Sequence, residues 1–183
     1  MPSIRERALD AAVELIGTQS IRALTHARVD ERAGLARGST SNHFRTRAAL
    51  LAGVTQWIAD RESSDLGAAA ARPFDDVDGF VDLFSDAIEL LTGVYAVRTR
   101  ARYALFLEAA SDPDLFAPLH AQREGLATWA RNLLTALGAQ HPDAATQAFM
   151  AFSDGIILHR LSVEPDAPVR PVVAIAVRGC LAA

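Results

Sequence analysis

Between Leu24 and Leu51 the chain runs LTHARVDERAGLARGSTSNHFRTRAALL, and this stretch constrains the fold more than any other. Thr25 stands where a hydroxyl can cap a helix running to about Ala33. Ala33-Gly34-Leu35 follows as a tight turn, with Gly34 able to take left-handed backbone. The pattern predicts a second helix from about Ala36 to Phe44. Thr46 then caps a longer one through Leu50, Val54, Trp57 and Ile58. Helix, tight turn, helix is the order of a helix-turn-helix, whose second helix enters the major groove of DNA.

A net charge of −4 argues against a nucleic-acid partner only when the chain is read as a whole. All 18 basic residues are arginine, and eight of them stand in residues 1–50 against five acids. The other ten face 17 acids in residues 51–183, so a basic N-terminal end joins an acidic remainder. That asymmetry suits a small DNA-binding head. Half the residues are hydrophobic, which is enough for a core. The single cysteine, Cys180, excludes an internal disulfide and fits a reducing cytoplasm, where it reads as a small buried residue. No secretory signal is visible and no apolar run is long enough to span a bilayer, so a cytoplasmic protein without a membrane partner is expected.

The rest of the chain reads as helices throughout. Ile4, Ala8, Ala11, Ala12, Leu15 and Ile16 fall on one face of a first helix over Ser3–Gly17. After a break at Pro73, Val77 to Leu91 and Val94 to Ala110 carry helical spacing. Asp112-Pro113 restarts the chain, and Pro118 either kinks the next helix or begins it, with Leu119 to Leu137 following. Pro142 opens a helix to about Val163. Three prolines (165, 168, 171) separate it from a last helix through Val177 and Leu181. The expected fold is all-α, about nine helices: a three-helix head, residues 1–47, and a helical body, residues 48–183.

Short polar side chains on the second helix of the motif let its backbone approach the groove floor and donate to phosphates or base edges. The expected DNA-facing set is Thr25, Arg28, Arg37, Gly38, Ser39, Thr40, Ser41, Asn42, His43, Arg45, Thr46 and Arg47. Arg37 can read guanine or clamp a phosphate, and Gly38 removes a side chain where backbone could meet DNA. A polar surface helix with an ordinary glycine defect is the alternative. The cap at Thr25, the turn, and Phe44 as a core anchor favour DNA. Aromatics on the middle helices, Trp57, Phe80, Phe84, Tyr103, Phe106, Phe116 and Trp129, are core by default. An apolar pocket bordered by Phe84, Tyr103, Phe106 and Trp129 is the expected small-molecule site. Arg102 belongs to an arginine cluster (98, 100, 102) that reads as a solvated face, or as recognition of an acidic ligand. His120 and Glu124 lie one turn apart with no second pair, so no metal and no cofactor is expected.

Around the turn the chain resembles the TetR family of bacterial transcriptional repressors. The resemblance rests on Ala33, Gly34, Leu35, Arg37, Gly38, Ser39, His43, Phe44, Arg47, Ala49, Leu50 and Leu51, with Phe152-Ser153-Asp154-Gly155 in the penultimate helix. Ala36 and Ser41 depart from it, standing where many members have Ser and Tyr. The resemblance implies a repressor that binds a palindromic DNA operator as a homodimer and is released by a small-molecule inducer. It implies an interface from the last two helices, and Phe149, Phe152, Ile156, Val173 and Val177 are its expected members. Two rivals are a helical small-molecule-binding protein without DNA binding, and a helical-bundle enzyme. The second lacks any convergent polar cluster in the sequence.

Overall fold

The computed structural model describes residues 2–70, 72–108 and 117–182. Phe116 and the restart at Asp112-Pro113 lie outside them. Among the described residues nine α-helices follow one another: α1 Ile4–Thr18, α2 His26–Arg32, α3 Ser39–His43, α4 Arg47–Ala70, α5 Val77–Thr92, α6 Ala96–Glu108, α7 Ala117–Ala136, α8 Pro142–Ser162 and α9 Val169–Ala182. A single 3₁₀ turn, Ile21–Ala23, links α1 to α2. The all-helical expectation holds. None of these helices is long and apolar enough to cross a membrane.

Local sequence explains most helix ends. Ser3 and Glu6 form a reciprocal capping box on α1, with Ser3 N–H to Glu6 Oε2 at 2.7 Å and Glu6 N–H to Ser3 Oγ at 3.2 Å. Asp76 caps α5 through the Gly79 N–H (2.8 Å), and Thr46 caps α4 through the Ala49 N–H (3.0 Å). Pro142 occupies the first turn of α8, where its missing N–H costs nothing. The last helix starts at Val169, so Pro171 lies inside its first turn and not ahead of it.

The described residues pack as two compact units, 1–63 with 96–121, and 64–95 with 122–183. In the first, α1 lies along α6, and Leu9, Leu15, Ile16, Val29, Phe44, Leu50, Val54, Ile58, Leu105 and Leu119 share one core. In the second, α5, α8 and α9 pack together around an aromatic cluster. Phe80 is at its centre, with ring centroids 5.6 Å from Phe74, 6.0 Å from Phe84, 6.1 Å from Trp129 and 5.8 Å from Phe149. Rings at these spacings, three pairs tilted and one stacked, add ring–ring attraction to plain burial.

Candidate nucleic-acid interface

Thr25 begins α2 as expected: its Oγ1 accepts the Arg28 N–H at 3.3 Å. α2 ends in the Ala33-Gly34-Leu35 turn, with Gly34 at φ +61° and the Leu35 N–H donating to the Asp30 carbonyl (2.8 Å). Arg7 of α1 fastens the turn from outside by donating to the carbonyls of Ala33 (2.6 Å) and Gly34 (3.2 Å).

α3 begins later than its sequence suggests. Ala36 to Ser39 form a turn, closed by the Ser39 N–H to the Ala36 carbonyl (3.0 Å), and the helix covers Ser39–His43. Arg37 and Gly38 therefore precede it. Gly38 is its N-cap, at φ +90°, so the glycine answers a backbone requirement and is no defect within a helix.

Gly38 has no side chain with which to cap α3, and Asp30 supplies the cap from α2. Its Oδ2 accepts the Gly38 N–H (2.7 Å), while Oδ1 accepts both the Thr40 N–H (2.8 Å) and the Thr40 hydroxyl (2.5 Å). Burial opposes the ionised carboxylate, but these bonds from Thr40 and Gly38 outweigh it and hold the Asp30 pKa below its usual value. The arrangement corrects the reading of Thr40 as a DNA contact. Thr40 is fully buried, and its hydroxyl is spent inside the head.

The other expected contacts divide by role. Arg37, Ser41, Asn42, His43 and Arg45 are exposed along one continuous segment, and Gly38 and Ser39 are half-exposed. The Ser41 hydroxyl donates back to the Gly38 carbonyl (2.8 Å). Thr25 and Thr46 are exposed but serve as caps. The Arg28 guanidinium donates to the Gln19 side chain, and Arg47 donates to the Ile21 carbonyl at 2.9 Å. Behind α3, the His26 Nε2–H donates to the Phe44 carbonyl (2.6 Å), and the Arg5 guanidinium lies 5.5 Å from the Phe44 ring centroid. Asp30 and Arg7 enter the sequence reading only through its charge balance, and His26 does not enter it. The available signal was Asp30 beside Val29, an acid on the buried face of a short helix.

The residues expected at the dimer interface are mostly core. Phe149, Ile156, Val173 and Val177 are buried within the chain by α5, α8 and α9, and only Phe152 is part-exposed. Phe149, for one, lies 4.6 Å from the Phe84 ring. α8 and α9 are apolar nearly all round, and their own unit covers these large side chains.

Of the expected ligand residues, Phe84 and Trp129 are half-buried in the second unit, where both rings meet Phe80. Arg102, Tyr103 and Phe106 belong to the first unit, where Phe106 packs on the core and meets His120 edge-on at 6.0 Å. Arg102 is not on a solvated face. Its side chain is 11% exposed, its Nε lies 3.5 Å from Glu62 Oε1, and its guanidinium lies 4.7 Å from the Tyr103 ring centroid. Among the described residues no group of three His, Cys, Asp or Glu side chains could hold a metal ion.

Known proteins share this architecture. Multidrug binding protein EbrR, solved with ethidium, is 25% identical over 98% of both chains, with a TM-score of 0.70. A TetR-family member from Streptomyces coelicolor A3 is 24% identical over 98% of this chain and 99% of its own, at TM-score 0.73. A transcriptional regulator from Rhodococcus sp. Rha1 is 19% identical over 97% and 96%, at TM-score 0.82. No curated protein matches the chain by sequence. Residues 8–54 match the profile of the bacterial regulatory proteins of the tetR family, and residues 75–183 match the tetracyclin repressor-like C-terminal domain. With both profiles matched in chain order, the second over more than half its length, the chain belongs to the TetR family and is a transcriptional regulator, not an enzyme.

Proposed function

We propose that the protein is a repressor that binds a palindromic operator as a homodimer in the cytoplasm and is released by a small molecule. Residues 1–47 would read DNA and residues 48–183 would bind the ligand and the partner subunit. The observation that carries this reading is the exposed run Arg37, Ser41, Asn42, His43 and Arg45, standing on a turn and helix fixed from beneath by Asp30. A rigid support under exposed polar side chains is what base reading requires, since it places donors without an ordering cost at binding.

Arg37→Ala tests the reading. The side chain is exposed and precedes α3, so the melting temperature should not move. Operator affinity should fall by about 1–3 kcal/mol, with discrimination lost at one base pair if Arg37 reads a base edge. Titration of a labelled operator measures both; unchanged affinity at every site variant would remove Arg37 and its turn from the interface.

The subunit contact would fall on exposed residues other than the buried Phe149, Ile156, Val173 and Val177. α8 leaves Ala144, Ala148, Ala151, Gly155 and Leu158 exposed at alternating spacings of four and three, one stripe down the helix. α9 leaves Val172, Ile175 and Gly179 exposed, with Ile175 at 76%. Small residues on such a stripe let two helices approach closely, and paired heads are what a palindromic site requires. A Cβ at Gly155 would meet no atom within 4 Å. Gly155→Arg should therefore leave the single chain folded and yield monomers in sedimentation; an intact dimer would exclude this stripe from the interface.

EbrR holds ethidium, which supports a flat aromatic inducer for this chain. Ligand binding would favour a spacing of the two heads mismatched to major grooves about 34 Å apart. Ligand and operator should then weaken each other equally, by about 1–3 kcal/mol.

A further inference from the structure

We propose that the Glu62 carboxylate is the recognition point for an organic cation, and that Arg102 occupies the place the cation would take. The proposal rests on the ligand-responsive reading above and adds to it the charge of the ligand and the atoms that read it. Glu62, on α4, is 0% exposed, and ionised glutamate is almost never buried so completely without a positive charge against it. Arg102, on α6, supplies one. Its Nε stands 3.5 Å from Oε1, a contact of charges beyond ordinary hydrogen-bond length. The guanidinium also lies 4.7 Å from the Tyr103 ring centroid. A carboxylate beneath and an aromatic ring beside is the environment in which proteins hold organic cations.

The side chain that fills this place is suited to leave it. Arg102 sits at the outer edge, 11% exposed against none for Glu62. Its long stem can carry the guanidinium to water. A flat cation would then exchange with it: one positive charge leaves the carboxylate and another arrives. Because Glu62 stays matched throughout, the exchange avoids the cost of a bare buried charge. Arg98, one helical turn before Arg102, is half-buried too, and the two arginines together would suit an organic anion instead. The depth of Glu62 argues against that, since an anion drawn to Arg102 would lie against a fully buried carboxylate.

Dye binding by the full chain without DNA decides the matter. Ethidium is the cationic probe and anilinonaphthalene sulfonate the anionic one. Arg102→Met removes the competing charge and keeps the apolar stem; Glu62→Gln with Arg102→Met removes the carboxylate as well. Arg102→Met should bind ethidium at least about tenfold more tightly than the unaltered chain, and the double variant should lose that gain. The double variant leaves no member of this pair charged, so it keeps the test open if the single variant does not fold. The unaltered chain must then bind ethidium at least about tenfold more tightly than the double variant. Equal ethidium affinity in the chains compared, or binding of the sulfonate that is lost in Arg102→Met, overturns the proposal. Operator binding with no such ethidium response would sink this inference and leave the regulator standing.

Discussion

Asp30→Ala is expected to destabilise the head by about 3 kcal/mol or more and to abolish operator binding, although Asp30 is itself buried. The substitution strands the N–H groups of Gly38 and Thr40 and the Thr40 hydroxyl, all of which donate to this one carboxylate. Each buried donor left without an acceptor costs roughly 1–3 kcal/mol, and these three sit at the start of α3. Asp30→Asn should fall between, because the amide keeps one acceptor and turns a donor toward donors. The same bonds set a pH dependence. The Asp30 pKa is lowered in the folded chain, while an unfolded aspartate titrates near about 3.9. Its contribution is therefore fully present above that value and is lost as pH falls through the lower folded value. Acid unfolding should be steeper below about pH 4 in the unaltered chain than in Asp30→Ala. Melting curves and operator titrations check both parts; a variant that melts and binds like the unaltered chain would refute the capping role.

Gly17→Ala should destabilise the first unit, although alanine is the better helix former. Gly17 lies near the end of α1, and a Cβ there would stand 2.0 Å from the Val97 carbonyl oxygen and 2.9 Å from Val97 Cγ1. The nearest atom is backbone, so α1 and α6 must separate along the packing that joins them. Overpacking of this kind costs about 1–3 kcal/mol or more, which exceeds the gain of about 1 kcal/mol from replacing a helical glycine. Gly125→Ala supplies the opposite sign. A Cβ there meets nothing within 4 Å, so that variant should gain roughly 0.5–1 kcal/mol. Urea titrations of the pair measure the contrast. If Gly17→Ala proved as stable as the unaltered chain, α1 and α6 could not approach as closely as the structure has them.

The legible features were local ones. A hydroxyl at Thr25 or Thr46 caps the helix that follows it, and Gly34 marks a turn that side-chain-bearing residues resist, so neighbouring residues are enough to find them. What escaped depends on residues far apart in the chain. Asp30 caps a helix that starts nine positions later, and Glu62 meets Arg102 across two helices. For Thr40 helix phase decides: a helix starting at Ala36 would be free to turn it outward, whereas one starting at Ser39, held by Asp30, turns it in. On α8 and α9 size misled. Phe149 and Val173 fill the interior, and the outer stripe carries the small residues Ala151 and Gly155 beside Leu158, Val172 and Ile175.

Selection of a duplex from randomised DNA by the full chain, followed by titration of the selected duplex and a scrambled one at several salt concentrations, tests the central claim most directly. The account predicts an enriched palindrome, bound about 10³-fold or more over the scrambled duplex, with Arg37→Ala and Asn42→Ala each losing preference at defined base pairs. Equal affinity for both duplexes at every salt concentration, unaffected by either substitution, would contradict it.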